Sequence, residues 1–332
     1  MTLSLPLWLL VFVVSLAVLI KASDSFTVAA ERIGLRLGIP AFIVGGTIVA
    51  LGTSLPELVS SIFSVVKDSP EIVLGNVVGS NITNSLLVLG MAGVISKSIN
   101  INHGGLMRDL VALVSSAIFM GVSCIDGTFS RVDAAIGAVL ILLHLIYTVR
   151  EGKKETEAQV EVIGEGGEPR ALSVDNPVAL DAARGPVGWR LPLILVVSGA
   201  FICGGAQWTI EAVINMSEGL GVGKELIAIT AVAIGTSLPE LAVTLSAAMK
   251  GKAEIAVGNV LGSNIFNTLC VLTLPAFIGE LPVVPSILAF GLPVMLLATV
   301  AFVVVVGDRK VSRLESGALL GGYVLFLVGL FV

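Results

Sequence analysis

Residues 50–90 and 233–273 are two copies of one segment, and this duplication limits the chain more than any other feature. The first copy reads ALGTSLPELVSSIFSVVKDSPEIVLGNVVGSNITNSLLVLG and the second AIGTSLPELAVTLSAAMKGKAEIAVGNVLGSNIFNTLCVLT. Aligned without gaps at an offset of 183 residues, they are identical at 22 of 41 positions. Both are largely apolar, yet the matches include Thr53/Thr236, Ser54/Ser237, Pro56/Pro239, Glu57/Glu240, Asn76/Asn259, Ser80/Ser263, Asn81/Asn264 and Asn84/Asn267. A packing unit needs only apolar and small residues to match. Polar groups in hydrocarbon are costly without partners, and a carboxylate is the costliest of these. The retained polar set therefore points to chemistry.

The surroundings of the repeat are those of a membrane. Only 13% of the 332 residues are charged, against about 25% in soluble domains, and mean hydropathy is +1.02. Apolar runs broken by polar segments predict ten spans, near 3–22, 40–66, 71–96, 107–126, 132–150, 190–210, 224–249, 254–279, 282–306 and 313–332. The first run has no basic residue before it and no A-x-A site, so it reads as a span that is kept. Charge mixed with apolar residues at helical spacing between Ser23 and Leu37 suggests that its helix continues through Arg36. Residues 151–189 are rich in Glu, Gly and Pro and read as a flexible linker between two halves, 1–150 and 190–332.

Lysine and arginine test the span count. Loops after odd-numbered spans hold 16 of the 19 basic residues, and the other side holds only Lys67, Arg131 and Lys224. The positive-inside rule then places the odd loops, including 151–189, in the cytoplasm and both termini outside, as in a multi-pass protein of the cell membrane. Each half has five spans, so the two copies of the repeat (about 40–96 and 224–279) must face opposite ways. The fold class expected is an all-α integral membrane protein of ten transmembrane helices, arranged as two inverted five-helix repeats with broken helices at the centre. Secondary transporters are built this way, with the binding site near mid-membrane at the repeat interface.

The repeated motifs say what such a site would hold. In GTSLPE the side chains of Thr53, Ser54 and Glu57 share one helix face. Pro56 lacks an amide hydrogen and its ring clashes with the carbonyl of Gly52, so the helix should break just before it and free carbonyls around Ala50 to Gly52. Thr236, Ser237, Pro239 and Glu240 repeat the arrangement and should free carbonyls around Ala233 to Gly235. Gly75, Gly79, Gly258 and Gly262 permit close approach of helices. The donors are all oxygen, with two carboxylates and no Cys or His, which suits hard cations: Ca²⁺ ahead of Mg²⁺, and Na⁺ in similar sites. Ser, Thr and Gly at helix interfaces are often packing aids, and Asn76, Asn81, Asn259 and Asn264 could equally tie helices together. No basic residue lies near Glu57 or Glu240 in its own span, so a structural salt bridge does not explain them.

The remaining features carry less. Lys67/Lys250 and Glu71/Glu254 recur at turns and read as a solvated lysine and a helix-start acid. Glu211 and Glu218 read as a solvated helix face, and His103 and His144 have no repeat counterpart. Cys124, Cys203 and Cys270 are single and apolar in setting, so neither a disulfide framework nor a thiolate site is expected. A net charge of -5 suggests no nucleic-acid partner, and no cofactor or obligatory protein partner is evident beyond the lipid bilayer.

With GTSLPE at 52–57 and 235–240, GNVVGSNITN at 75–84 and GNVLGSNIFN at 258–267, the chain resembles the cation/Ca²⁺ exchanger superfamily, and within it the prokaryotic sodium/calcium exchangers. The resemblance covers the ten-span plan and the central loop. It implies Ca²⁺ ligation by Glu57, Glu240 and the carbonyls of Thr53 and Thr236. It implies Na⁺ ligation by Ser54, Ser80, Ser237, Ser263 and the carbonyls of Ala50 and Ala233. The last polar position falls on Asn84 and Asn267. Many relatives, including the potassium-dependent branch, have Asp where this chain has Asn267, which argues against K⁺ co-transport. The proton-coupled exchangers usually carry GNxxE as their first motif, so GTSLPE weighs against them.

Na⁺-driven Ca²⁺ antiport by alternating access is thus the expected function, and H⁺-coupled Ca²⁺/cation exchange is the alternative. A passive channel would need a continuous polar path, whereas these polar residues cluster at one depth. An intramembrane acidic protease would not need the Ser, Thr and Asn that surround each carboxylate, so no enzyme activity is expected. The topology has a direct test. Lys67→Cys should react with an impermeant maleimide from outside the cell and Lys250→Cys only from inside, although the two positions are equivalent in the repeats; labelling from one side refutes inversion.

Overall fold

The computed structural model describes residues 4–36, 50–96, 98–101, 106–164, 188–251 and 253–330. The start of the second predicted span, His103 and residues 165–187 of the predicted linker lie outside the described residues. Among the described residues, seven helical stretches are long and apolar enough to cross a bilayer: Leu5–Ala30, Glu71–Ser96, Leu106–Ser123, Arg131–Thr148, Arg190–Leu220, Ile255–Ile278 and Ile287–Gly307. An eighth is broken, with Lys224–Thr236 and Leu238–Met249 meeting at 41°. Of the other two predicted spans, the second is described from Ala50 onward as Ala50–Thr53 and Leu55–Val66. The last is the 17-residue helix Arg313–Gly329, at the short limit for a span.

The first helix runs unbroken from Leu5 to Arg36, as its mixed pattern suggests. The fifth departs from expectation: the helix that begins at Arg131 continues to Gly164, so residues 151–164 of the predicted linker are helical. The sequence KKETEAQVEVI between Gly152 and Gly164 is rich in good helix formers and free of Gly and Pro, so an existing helix propagates through it at little cost.

Two apolar clusters form the interior. Phe12, Leu16 and Leu19 of Leu5–Arg36 pack against Ile202, Ala206, Ile210 and Val213 of Arg190–Leu220, and Ile72, Ile227, Ala228 and Val232 of the repeats join the same cluster. The remaining spans share the larger cluster, centred on Glu71–Ile82, Ala253–Phe266 and Leu292–Gly307. Inversion is visible in the packing. Leu55–Val66 lies against Thr273–Ile278, and its repeat partner Leu238–Met249 lies against Leu89–Ser96, the equivalent segment of the other copy.

Contacts between loops respect the parity of the spans. Ser98–Asn100, after the third span, pairs antiparallel with Lys310–Ser312, after the ninth, with Ile99 opposite Val311. Thr128–Phe129, after the fourth, pairs with Leu281–Pro282, after the eighth. The polar contacts around the 66–71 turn follow the same rule. Lys67 Nζ meets Glu211 Oε2 at 2.9 Å and Lys224 Nζ meets Glu71 Oε1 at 3.3 Å. Lys67 is therefore not merely a solvated turn residue, nor is Glu211 only part of a solvated face. With both side chains about one-third exposed, the pair contributes up to about 1 kcal/mol.

Gly75 and Gly79 set the distance between the repeats. A Cβ on Gly75 would lie 2.7 Å from the carbonyl oxygen of Glu225, and one on Gly79 would collide with that of Ile229. Only glycine lets the broken helix of the second repeat come this close. Gly79→Ala should cost about 1–3 kcal/mol through forced backbone displacement. It should lower the thermal unfolding midpoint of the purified protein, whereas Gly321→Ala, with nothing within 4 Å of its Cβ, should not.

Candidate cation site

The GTSLPE motif folds as the sequence dictates, with one refinement. The break falls at the serine: Ser54 has φ -88° and ψ 8°, and Ser237 φ -81° and ψ 6°. A new helix then begins with Pro56 or Pro239 in its first turn, where a missing amide hydrogen does no harm. Glu57 and Glu240 follow in that same first turn, where the unpaired amides and helix dipole favour a negative charge. The carbonyls are less free than the break suggests. That of Ala233 accepts the Ser237 amide at 3.1 Å, so only its second lone pair remains.

Both carboxylates are completely buried, and each takes a hydroxyl from the opposite repeat. Ser54 Oγ donates to Glu240 Oε1 at 3.1 Å, and Ser237 Oγ donates to Glu57 Oε1 at 3.3 Å. Ser263 Oγ adds a second donor to Glu240 Oε1 at 3.4 Å. The structure thus brings Ser54, Glu57, Ser237, Glu240 and Ser263 together. Thr236 lies alongside, its hydroxyl 3.0 Å from the Val232 carbonyl and 3.4 Å from Asn76 Oδ1, and Thr53 is also buried and engaged. Neither Glu57 nor Glu240 has a salt-bridge partner among the described residues.

Ser80, Asn84 and Asn267 differ from the rest. They are buried, yet Ser80 Oγ and both polar atoms of Asn84 and of Asn267 lack any hydrogen-bond partner, as do Glu57 Oε2 and Glu240 Oε2. Folded proteins leave few buried polar atoms unmatched. Here seven of the twelve among the described residues belong to the predicted ligand set, and five of these seven are oxygens of the kind a hard cation takes.

A further layer supports the carboxylates. Asn76 Nδ2 reaches the Glu57 carbonyl at 3.4 Å and Ser61 Oγ at 3.2 Å. Asn259 Nδ2 does the same to the Glu240 carbonyl at 3.2 Å and Thr244 Oγ1 at 3.0 Å. Asn81 and Asn264 instead cross between repeats, to Thr268 Oγ1 at 2.9 Å and Ser85 Oγ at 2.8 Å. Sequence reasoning passed over these four hydroxyls because it counted identities. Ser61/Thr244 and Ser85/Thr268 stand at the 183-residue offset with the residue changed and the hydroxyl kept.

The serine–carboxylate bonds between repeats and the four Asn bonds thus recur in both copies, around two carboxylates set across one interface, whereas Ser263 bonds to Glu240 and its counterpart Ser80 bonds to nothing. The sodium/calcium exchanger protein family matches residues 7–151 and 190–332. The chain belongs to this family. It is 33% identical to the sodium/calcium exchanger MaX1 of Methanosarcina acetivorans, over 97% of this chain and 98% of that protein. It is 31% identical to the inner membrane protein YrbG of Escherichia coli, over 96% and 95%. Among solved structures, the sodium-calcium exchanger NCX_Mj, soaked with Na⁺ and Sr²⁺, matches with a TM-score of 0.65 and 26% identity, covering 98% of this chain and 99% of that one.

The carboxylates provide the sharpest test of the site. Glu57→Gln and Glu240→Gln keep the side-chain shape and remove half of the site's charge. Each should weaken Ca²⁺ binding at least about tenfold, or 1.4 kcal/mol, in titration of the purified protein, with the unfolding midpoint unchanged or raised. Parental affinity in either variant refutes the central site.

Proposed function

We propose that this protein exchanges Na⁺ for Ca²⁺ across the membrane by alternating access at the Glu57–Glu240 site. The observation that carries the reading is the reciprocal pair of carboxylate–serine contacts between inverted repeats. Two carboxylates match the charge of one Ca²⁺ or of two Na⁺, and hydroxyl and amide oxygens complete a shell for either. The same two carboxylates would then hold either ion in turn, which is what obligatory exchange requires. The names of MaX1 and NCX_Mj, both sodium/calcium exchangers, support the same reading.

In this proposal Glu57, Glu240 and the carbonyls of Thr53 and Thr236 bind Ca²⁺. Ser54, Ser80, Ser237, Ser263 and the carbonyls of Ala50 and Ala233 bind Na⁺, with Asn84 and Asn267 completing the cluster. The paired helices Leu5–Arg36 and Arg190–Leu220, which pack closely on each other, are the moving pair, and the rest of the fold holds the site. The halves 1–150 and 190–332 carry one repeat each, joined through 151–189 on the cytoplasmic side. The protein resides in the cell membrane with both termini outside.

Flux in proteoliposomes tests the whole reading. Ca²⁺ uptake should follow an outward-directed Na⁺ gradient and remain absent when only a pH gradient is imposed. Uptake driven by the pH gradient alone would replace Na⁺ by H⁺ as the coupling ion. Uptake of Ca²⁺ down its own gradient with no counter-ion would mean a channel.

A further inference from the structure

Four polar side chains outside the proposed ligand set form two reciprocal bridges between the repeats, and both bridges end on an irregular turn. In the first repeat the helix Glu71–Ile82 passes into a π-helical turn, Thr83–Val88. In the second, Ala253–Phe266 passes into Asn267–Val271. In each turn the Asn carbonyl accepts the amide five residues on: Leu89 bonds to Asn84, and Leu272 to Asn267 at 3.0 Å. Such turns are rare, are less favourable than continued α-helix and gather at functional sites. Neither turn itself contains a Gly or Pro, although Pro275, four residues past Val271, withholds an amide from the end of the second.

The bridges reach these turns from the other repeat. Asn264 Nδ2 donates to Ser85 Oγ, inside the first turn, at 2.8 Å. Asn81 Nδ2 donates to Thr268 Oγ1, inside the second, at 2.9 Å. All four side chains are buried, so each bond is made away from water, and losing one partner strands the other. A hydroxyl can donate or accept, so either orientation of the amide preserves the tie. The residues that each turn aims are Asn84 and Asn267, whose polar atoms find no partner in the protein. One residue more or less per turn rotates a side chain by about 100° around the helix axis, enough to turn an amide out of a site.

We infer that Asn81 and Asn264 are positioning residues, each holding the π-turn of the opposite repeat and so directing Asn267 and Asn84 toward the cations. The inference rests on the reading of Asn84 and Asn267 as part of the cation site. It differs from a simple helix tie in what it demands: the effect of Asn264 must pass through Asn84, and the effect of Asn81 through Asn267. It also explains why the copies differ as Ser85 and Thr268, since only a hydroxyl at that place is required.

The experiment is Ca²⁺ titration of the full-length purified protein in Na⁺-free buffer, for Asn264→Val, Ser85→Ala, Ser85→Thr, Asn84→Ala and the double variant Asn84→Ala/Asn264→Val. Asn264→Val and Ser85→Ala should each raise the half-saturating Ca²⁺ concentration about two- to tenfold, the range of one neutral hydrogen bond, at unchanged maximal binding per folded protein. Ser85→Thr should stay near the parent. The double variant should bind no more weakly than Asn84→Ala alone, because a misdirected side chain no longer matters once it is gone. Full additivity in the double variant overturns the inference, as does a Ser85→Thr protein that behaves like Ser85→Ala. If Asn264→Val does not fold, the Ser85 pair decides the matter alone. Parental affinity in Asn84→Ala removes Asn84 from the site and the inference with it, whereas the response of Glu57→Gln judges the cation site separately.

Discussion

Two carboxylates buried in a protein that lies in hydrocarbon are the constraint on which the rest depends. A charge in such a place is tolerated only with partners, and neither half of the chain supplies enough of them. Glu57 takes its serine from the second repeat, and Glu240 takes one from the first. Each half therefore leaves its own carboxylate under-satisfied until the other arrives, so the site and the interface between the repeats are one structure.

The local irregularities follow from that need. A continuous α-helix closes its own hydrogen bonds and offers nothing to an ion at mid-membrane. The breaks at Ser54 and Ser237 place each carboxylate in the first turn of a new helix, where unpaired amides and the dipole favour it. The close approach at Gly75 and Gly79 brings the broken helix of the second repeat near enough for hydroxyls to reach across. Amides then hold the carboxylate-bearing turns from behind, Asn76 on Glu57 and Asn259 on Glu240. Seven of the twelve buried polar atoms left without partners among the described residues belong to Glu57, Ser80, Asn84, Glu240 and Asn267.

Much of this could be read before the structure. The repeat offset paired the correct residues, Pro56 and Pro239 marked the breaks to within two residues, and the lysine and arginine bias sorted the loops into the groups that contact one another. Other features had no sequence signal of their own. The π-turn after Ile82 lies in ordinary apolar helix sequence, and Pro275 beyond the one after Phe266 has no counterpart in the first repeat. The Lys67–Glu211 pair joins residues 144 positions apart, and Glu211 has no counterpart in the first repeat. Residues 151–164 carry a polar composition that fits a linker and equally a helix extended beyond the bilayer, and continuity with the fifth span decided between them.

The sequence by itself determined that the chain crosses a membrane, that its halves are inverted copies, and that Glu57 and Glu240 are the carboxylates that both copies of the repeat keep. These are matters of composition, parity and duplication, which do not depend on where any atom lies. Tertiary structure alone decided which hydroxyl serves which carboxylate, which amides brace and which are left without partners, and where the helices bulge. Those choices rest on distances of about 3 Å between segments far apart in the chain. Only the packing of the two repeats against each other sets such distances.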